Sequence, residues 1–354
     1  MLAYIIRRIL LMIPTIFGLL LLCFIIVQFV PGGPVERIAA QLQGMDQHGG
    51  GGVAAQSGGN SIYRGAEGLD PKILADLKKQ FGLDKPAPER FWILLKSYVR
   101  FDFGRSFYRD VPVLTLIREK LPVSISLGLW MTLISYAISI PLGIRKAVKE
   151  GSRFDRWSSA VVIVGYAVPG FLVGILLIVL FAGGSFFQIF PLRGLTSDGW
   201  SQFSLAHKIS DYFWHITLPI IAMSLSAFAT TTFLTKNSFL EEIRKLYVQT
   251  ARMKGLSETR VLYGHIFRNA MLIVIAGFPG AFVAAFFASS LLIEKIFSLD
   301  GLGLLSFESL VNRDYPVVIA NLYIFGLMGQ MVNLLADLTY VWVDPRIDFE
   351  TREV

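Results

Sequence analysis

Apolar residues gather into six long runs that carry no charged side chain: Ile9–Val35, Leu121–Ile144, Trp157–Leu192, Tyr212–Thr235, Asn269–Ile293 and Tyr315–Ala336. A hydrocarbon core about 30 Å thick needs roughly 20 helical residues to cross it, so each run predicts a membrane-spanning helix. The fold class predicted is all-α, a polytopic membrane protein of six spans. The third run is too long for one span, and Gly183, Gly184 and Pro191 break its second half. A helix ending near Ala182, followed by a short interfacial dip, fits it better than two crossings. The last run continues past Asp337 to Val343.

The stretches between the runs divide the chain into a first span (1–30), a polar outer region (31–120), a core of five spans (121–343) and a short tail (344–354). Within the outer region, Gly49 to Gly52 and Gly58-Gly59 read as a flexible linker. After it, Asp70 can cap a helix with Pro71 at its first position, Leu74, Leu77 and Phe81 on one face and Gly82 at its end. A second helix is expected from Pro88 to Val99, with Phe91, Trp92 and Tyr98 suited to a membrane interface. The 236–271 loop is patterned rather than slack. Ser238 with Glu241 fits a capping box and Glu241 with Lys245 an i,i+4 pair. Leu240, Ile243, Tyr247 and Thr250, with Met253 or Lys254 beyond, keep helical spacing, and Gly255 can close the helix in a left-handed conformation. Ser257 then restarts a second amphipathic helix through Val261, Leu262, His265, Ile266 and Asn269. From physics alone this is either a docking element or a helix pair lying on lipid.

Composition agrees with a membrane solvent. The chain is 54% hydrophobic and only 17% charged, with a mean hydropathy of +0.57, too apolar for a water-soluble domain. Its net charge of +7 need not mean nucleic acid, because lysines and arginines orient membrane loops. They crowd the loops after the second span (Arg145, Lys146, Lys149, Arg153, Arg156) and the fourth (Lys236 to Arg268), which places those loops and both termini in the cytoplasm. Arg7-Arg8 before an apolar run resembles a secretory signal, but Ile9–Val30 is longer than such an apolar core and no A-x-A-like site follows it. The single Cys23 excludes an intrachain disulfide framework and a multi-cysteine metal site. No phosphate-cradling G-x-x-x-x-G-K-[ST] loop is present, and His48, His207, His215 and His265 are scattered. The chain is therefore expected to be no enzyme and to bind neither ATP nor metal. An ion-coupled secondary transporter is the rival reading; it calls for acids near mid-span and interrupted helices in two related halves, which the pattern lacks.

Tyr247 to Ser257, followed by His265 to Ala270, resembles the EAA loop of ABC importer permeases, in the form used by the dipeptide/oligopeptide branch. Four further stretches agree: Leu2–Pro34 with Arg7-Arg8 and Val30-Pro31-Gly32; Phe101 to Ser106 with Val111-Pro112-Val113 and Leu121-Pro122; Glu294-x-x-Phe297-Ser298-x-x-Gly301-Leu302-Gly303 with Arg313-Asp314-Tyr315-Pro316; and Asp344-Pro345-Arg346. The Gly-rich insertion makes the likeness closest to the B-type subunits of the Yej group, importers of oligopeptides and microcin C. Gln249-Thr250, Arg268-Asn269 and Asp300 depart from the general motifs; the first two are typical of peptide permeases. The resemblance implies the type I importer fold in a bacterial inner membrane, a second homologous permease, ATPase subunits that hold ATP and Mg, and a periplasmic peptide-binding protein. It also implies that Tyr247, Thr250, Ala251, Lys254, Gly255, Leu256 and Ser257 form the coupling contact with the ATPase, Leu256 filling an apolar socket there.

Other candidates are open to two readings. Thr132, Ser135, Ser139, Thr231, Gln330 and Asn333 can line a translocation path or join helices, as small polar residues do in membranes. Glu294, with Asp300, Gly301 and Gly303, can form an outer gate or binding-protein contact, or Glu294 can be an interfacial acid. Asp337, inside the last span, is either functional or held in an ion pair near the cytoplasmic face.

Overall fold

The structure, a computed structural model, describes residues 2–29, 85–184, 186–288 and 290–343. The Gly-rich linker, the Asp70 helix, the Val30-Pro31-Gly32 and Asp344-Pro345-Arg346 motifs and the tail lie outside the described residues. Described elements are helical: α1 (Leu2–Phe29), α2 (Ala87–Val99), α3 (Val113–Val148), α4 (Arg153–Ala167), α5 (Gly170–Phe181), α6 (Leu205–Ile243), α7 (Leu246–Met253), α8 (Glu258–Val261), α9 (Phe267–Ala288), α10 (Ser290–Ile296), α11 (Leu302–Val311) and α12 (Tyr315–Val343). A π-helical stretch, Leu262–Ile266, joins α8 to α9.

Among the described residues, four helical stretches are long and apolar enough to cross a membrane: Ala3–Gln28, Val113–Val148, Glu258–Val283 and Tyr315–Trp342. Two bent pairs bring the number to six: α4 with α5, bent by 92°, and the two halves of α6, bent by 53° between Leu225 and Ala227. The six apolar runs fall on these six. The third departs from expectation, since it is two helices that turn at Val168 rather than one helix to Ala182. Pro169 has no N–H and pushes its predecessor out of the helical region; Val168 accordingly lies at φ −86°, ψ 121°.

The chain forms two compact units. One comprises Met1–Leu10, Arg118–Phe307 and Leu327–Val354. Its core packs Leu127 and Met131 of α3 against Leu218, Ala222 and Met223 of α6 and Ile293 of α10. Small residues let backbones approach: a Cβ on Gly143 would lie 2.7 Å from Thr235 Cβ, and one on Gly170 would lie 2.8 Å from the Ala222 carbonyl oxygen. A charge cluster is buried beside this packing. Asp155, in the first turn of α4, accepts from Lys236 Nζ at 2.8 Å on both oxygens and from the Gly151 N–H at 3.2 Å. Lys146 of α3, with no exposed side-chain surface, sits 3.2 Å from the same carboxylate. Its Nζ also donates to the Asp155 carbonyl at 3.1 Å, Ser158 Oγ at 2.9 Å and Ser159 Oγ at 2.6 Å. The loop charges are thus not all orienting charges at the surface: these lysines join helices.

The other unit comprises Leu11–Ile117 and Glu308–Gly326. Phe91 of α2 packs against Phe17 and Phe24 of α1, with ring centroids 5.5 and 5.4 Å apart. Tyr98 meets Phe103 and Tyr323 edge-on at 5.0 and 5.3 Å and is buried, so it is a core residue and not the interfacial anchor expected; Trp92 is exposed. Asp314, also buried, accepts from Ser106 Oγ and from the Phe107 N–H at 2.9 Å, while Arg109 pairs with Glu308 at 2.8 Å. Two motifs far apart in sequence, Phe101–Ser106 and Arg313–Pro316, therefore brace each other.

Removing the carboxylate leaves the buried Lys146 and the partly buried Lys236 without their shared acid. Asp155→Ala is expected to cost about 3–5 kcal/mol, whereas Lys149→Ala, at an exposed position, stays within about 0.5 kcal/mol. Thermal unfolding in detergent at matched lipid content measures both.

Candidate functional site

The 236–271 segment is built differently from its sequence signature. α6 does not stop before Ser238 but continues to Ile243. Ser238 caps nothing; its hydroxyl donates to the Ala270 carbonyl at 2.6 Å, so a tertiary acceptor replaces the capping box. The new helix starts at Leu246, with extended Lys245 ahead of it and no side-chain cap. Lys245 pairs with Glu242 instead of Glu241. The segment after Gly255 also differs from the expected short helix. Ser257 precedes α8 with extended dihedrals but makes no side-chain cap. α8 then runs through the π-helical stretch into α9, so the second half is the opening of a span rather than a short separate helix. Between Ser257 and Phe278 there is no proline and glycine occurs only at Gly264 and Gly277, and Val261 and Ile266 are buried on the way.

Gly255 lies at φ +77°. Its N–H bonds the Arg252 carbonyl at 2.9 Å and the Leu256 N–H bonds the Ala251 carbonyl at 3.4 Å, which satisfies carbonyls that end α7. Arg252 grips Glu258 across the turn with two bonds of 2.9 and 3.1 Å. Val248 and Ala251 bury one face of α7 against Phe239, Val261, Ile266 and Ala270. Leu246 and Met253 stand on the outer side, 77% and 82% exposed, with Thr250, Lys254, Gly255 and Ser257 also exposed. Leu256 is half-buried against this chain's own core, so much of the side chain expected in a partner's socket is already occupied.

A hub absent from the sequence reading ties α7 down. Glu242, at the end of α6, accepts from Lys245 Nζ and from the Tyr247 hydroxyl at 2.6 Å. Asn269 Nδ2 of α9 donates to that same hydroxyl at 3.2 Å. The hydrogen bond to Glu242 raises the pKa of Lys245; burial, and then the bond to Glu242, raises that of Tyr247. Glu242 had no visible signal because its partners fall three and five residues on, across a helix break that the spacing hides.

The remaining candidates separate by exposure. Thr132, Ser135 and Ser139 of α3 and Thr231 of α6 are buried, and Ser139 Oγ donates to the Phe228 carbonyl at 3.3 Å, joining α3 to α6. Gln330 is half-buried and Asn333 exposed on α12. Glu294 is completely buried. Its carboxylate accepts from the Leu304 N–H at 2.6 Å and Ser124 Oγ at 3.4 Å, while Ser124 Oγ accepts from the Leu302 N–H at 2.8 Å. A Cβ on Gly301 would fall 2.4 Å from Glu294 Oε1. The glycine is thus dictated by the acid beneath it, and Glu294 has no surface to offer another protein. Asp300 is exposed and paired with Lys120; Gly303 is half-buried beside it. Asp337 accepts from Arg8 Nε and Nη2 at 3.0 and 2.6 Å and from the Tyr4 hydroxyl at 2.8 Å, the ion-paired alternative of the sequence reading.

Residues 139–349 match the family described as "Binding-protein-dependent transport system inner membrane component". The chain is 64% identical to the peptidoglycan transport system permease protein YejB of Agrobacterium fabrum, over 99% of this chain and all of that one. It is 56% identical to the inner membrane ABC transporter permease protein YejB of Escherichia coli O157:H7, with the same coverage. Against the oligopeptide transport system permease protein AppB of Bacillus subtilis it is 32% identical, over 99% of this chain and all of the relative.

Tyr247→Phe deletes the hydrogen bond to a buried acid, worth about 1–3 kcal/mol, together with the longer one from Asn269, and should loosen α7 locally. Trypsin cleavage after Arg252 and Lys254 is expected to speed up about tenfold with the global melting temperature nearly unchanged; an unaltered cleavage rate would show that the hub does not hold the helix.

Proposed function

This chain belongs to the family of binding-protein-dependent transport system inner membrane components, and from that membership we propose that it is one of two homologous permease subunits of an ATP-driven peptide importer. It is a multi-pass membrane transport subunit and not an enzyme; it has the type I ABC permease fold. In our reading ATP and Mg reside in partner ATPase subunits, and a periplasmic binding protein delivers oligopeptides, microcin C among them. The name of the 64% identical relative adds peptidoglycan-derived material to the candidate cargo. Both termini lie in the cytoplasm, bilayer lipid surrounds the spans, and no nucleic acid is involved.

The observation that carries this reading is α7 with its Gly255 turn: a short, stiff helix, tethered from behind and presenting Leu246 and Met253 outward. A partner that pushes α7 moves the end of α6 and the start of α9 together, because Glu242 and Asn269 both hold Tyr247. Tyr247 and Ala251 are then the inward anchors, Thr250, Lys254, Gly255 and Ser257 the docking surface, and Leu256 a hinge between the two. Gln330 and Asn333 present polar groups to the path, whereas Ser139 ties α3 to α6 and Thr132, Ser135 and Thr231 are buried within the helix packing. At the outer loop Asp300 meets the binding protein, while Glu294, Gly301 and Gly303 fix the loop's shape.

A Cβ at Gly255 would meet open space, so Gly255→Val acts through its backbone, at about 1–2 kcal/mol, and through the surface it presents. In reconstituted importers at matched permease abundance, peptide uptake and substrate-stimulated ATPase activity should fall together, with Lys254→Ala doing much less. Full transport by the Gly255→Val complex would overturn the coupling role. Reporter fusions near Gly50 and Ser197 should report outside and those near Lys149 and Lys254 inside; an outside signal at Lys254 reverses the orientation.

A further inference from the structure

In the second unit, a cavity of about 380 Å³ opens between the end of α1, one face of α2, the loop after it and the start of α12, a size typical of ligand pockets. Its walls are mainly apolar, with Phe24, Leu94, Phe107 and Ile319 among them. Two charges interrupt them. Arg90 donates through Nη2 to Gln28 at 2.7 Å and lies 5.9 Å from the Phe24 ring centre. Its Nε is buried without a hydrogen-bond partner, and among the described residues no carboxylate pairs with it. Asp102, exposed on the rim, accepts from the Gly104 N–H at 3.1 Å and likewise pairs with no described cation. A buried donor without an acceptor is costly, so a half-buried arginine in an apolar cleft calls for an anionic oxygen.

The cavity's depth indicates where that oxygen comes from. Gln28 ends the apolar stretch Ala3–Gln28 and also lines the cavity, which puts the charged groups at the level where hydrocarbon gives way to headgroups. Ile93 lines the cavity yet is 45% exposed, next to Trp92 at 55%, and Leu22 and Ile26 of α1 are exposed as well. Lys96 lies 5.6 Å over the Trp92 ring, as an interfacial lysine and tryptophan do. We propose that this cavity is a phospholipid site: the phosphate accepts from Arg90, the ammonium of an ethanolamine headgroup faces Asp102, and one acyl chain lies along the Phe24–Leu94–Ile319 wall. The opposite signs of Arg90 and Asp102 favour a zwitterion over a purely anionic lipid, and the open apolar flank favours a lipid over a peptide.

The test uses the full-length chain with whatever subunits copurify, stripped of lipid and titrated with phosphatidylethanolamine or phosphatidylglycerol under native mass spectrometry. One phosphatidylethanolamine per chain should bind about tenfold more weakly in Arg90→Gln, as expected for loss of a charge-assisted contact. Asp102→Asn should erase the preference for phosphatidylethanolamine over phosphatidylglycerol. Leu94→Trp, which fills the cavity without touching either charge, should abolish the bound lipid while the melting temperature stays near that of the parent. Equal retention by Arg90→Gln and Leu94→Trp overturns the site, as does displacement of the lipid by trialanine or occupancy of the cavity by residues 30–84 in a density map. Transport is not a readout, so failure of the importer reading leaves this result standing.

Discussion

A carboxylate shared by a buried lysine and a second, partly buried one decides where three helices of the first unit meet, and the functional segment inherits its position from that meeting. Asp155 can be ionised out of water only because Lys146, Lys236 and the Gly151 amide surround it, and each of those groups belongs to a different stretch of chain. Lys236 is the member on α6. From it the last two turns of α6 carry polar ties in succession: Lys236 to α4, Ser238 to the Ala270 carbonyl of α9, and Glu242 to Tyr247 of α7. An end of helix that would fray if left alone is thereby a strut, and α7 hangs from it.

The same ties explain which parts of the molecule could be read in advance. Long charge-free runs mark spans because hydrocarbon tolerates little else, and among the described residues each of the six overlaps a candidate spanning helix or bent pair. That ruler counts length and is blind to direction, so Pro169 passed unnoticed inside its run although it turns the chain by 92°. Ser238 and Glu241 spell a helix start, but the signature describes a local bond, and a carbonyl from 32 residues away took the serine instead. Tyr98 has an apolar body and a polar tip, which suits an interface as well as an aromatic core; only the rings of Phe103 and Tyr323 settle it. Gly255 was legible for the opposite reason: a left-handed turn constrains the residue itself and needs no distant partner.

Motifs that read as contact surfaces turn out to be partly internal braces. Glu294 and Gly301 are one device, an acid that holds the Leu304 amide and the glycine that leaves room for it. Ser106 and Asp314 are another, each meaningless without the other. Both acids are buried, so what they determine is the shape of a loop, while the side chains left exposed, such as Asp300, are what another protein can touch.

The bend at Val168 leaves the membrane with an unusual demand. α4 and α5, at 15 and 12 residues, are each too short to cross alone, so the break falls within the thickness of the bilayer. The last four carbonyls of any helix lack intrahelical donors, and Pro169 withholds the amide that a different residue would offer there. Acyl chains cannot supply the missing hydrogens. Tyr166 and Val168 are exposed, so this corner lies open to water or to another polypeptide that brings donors.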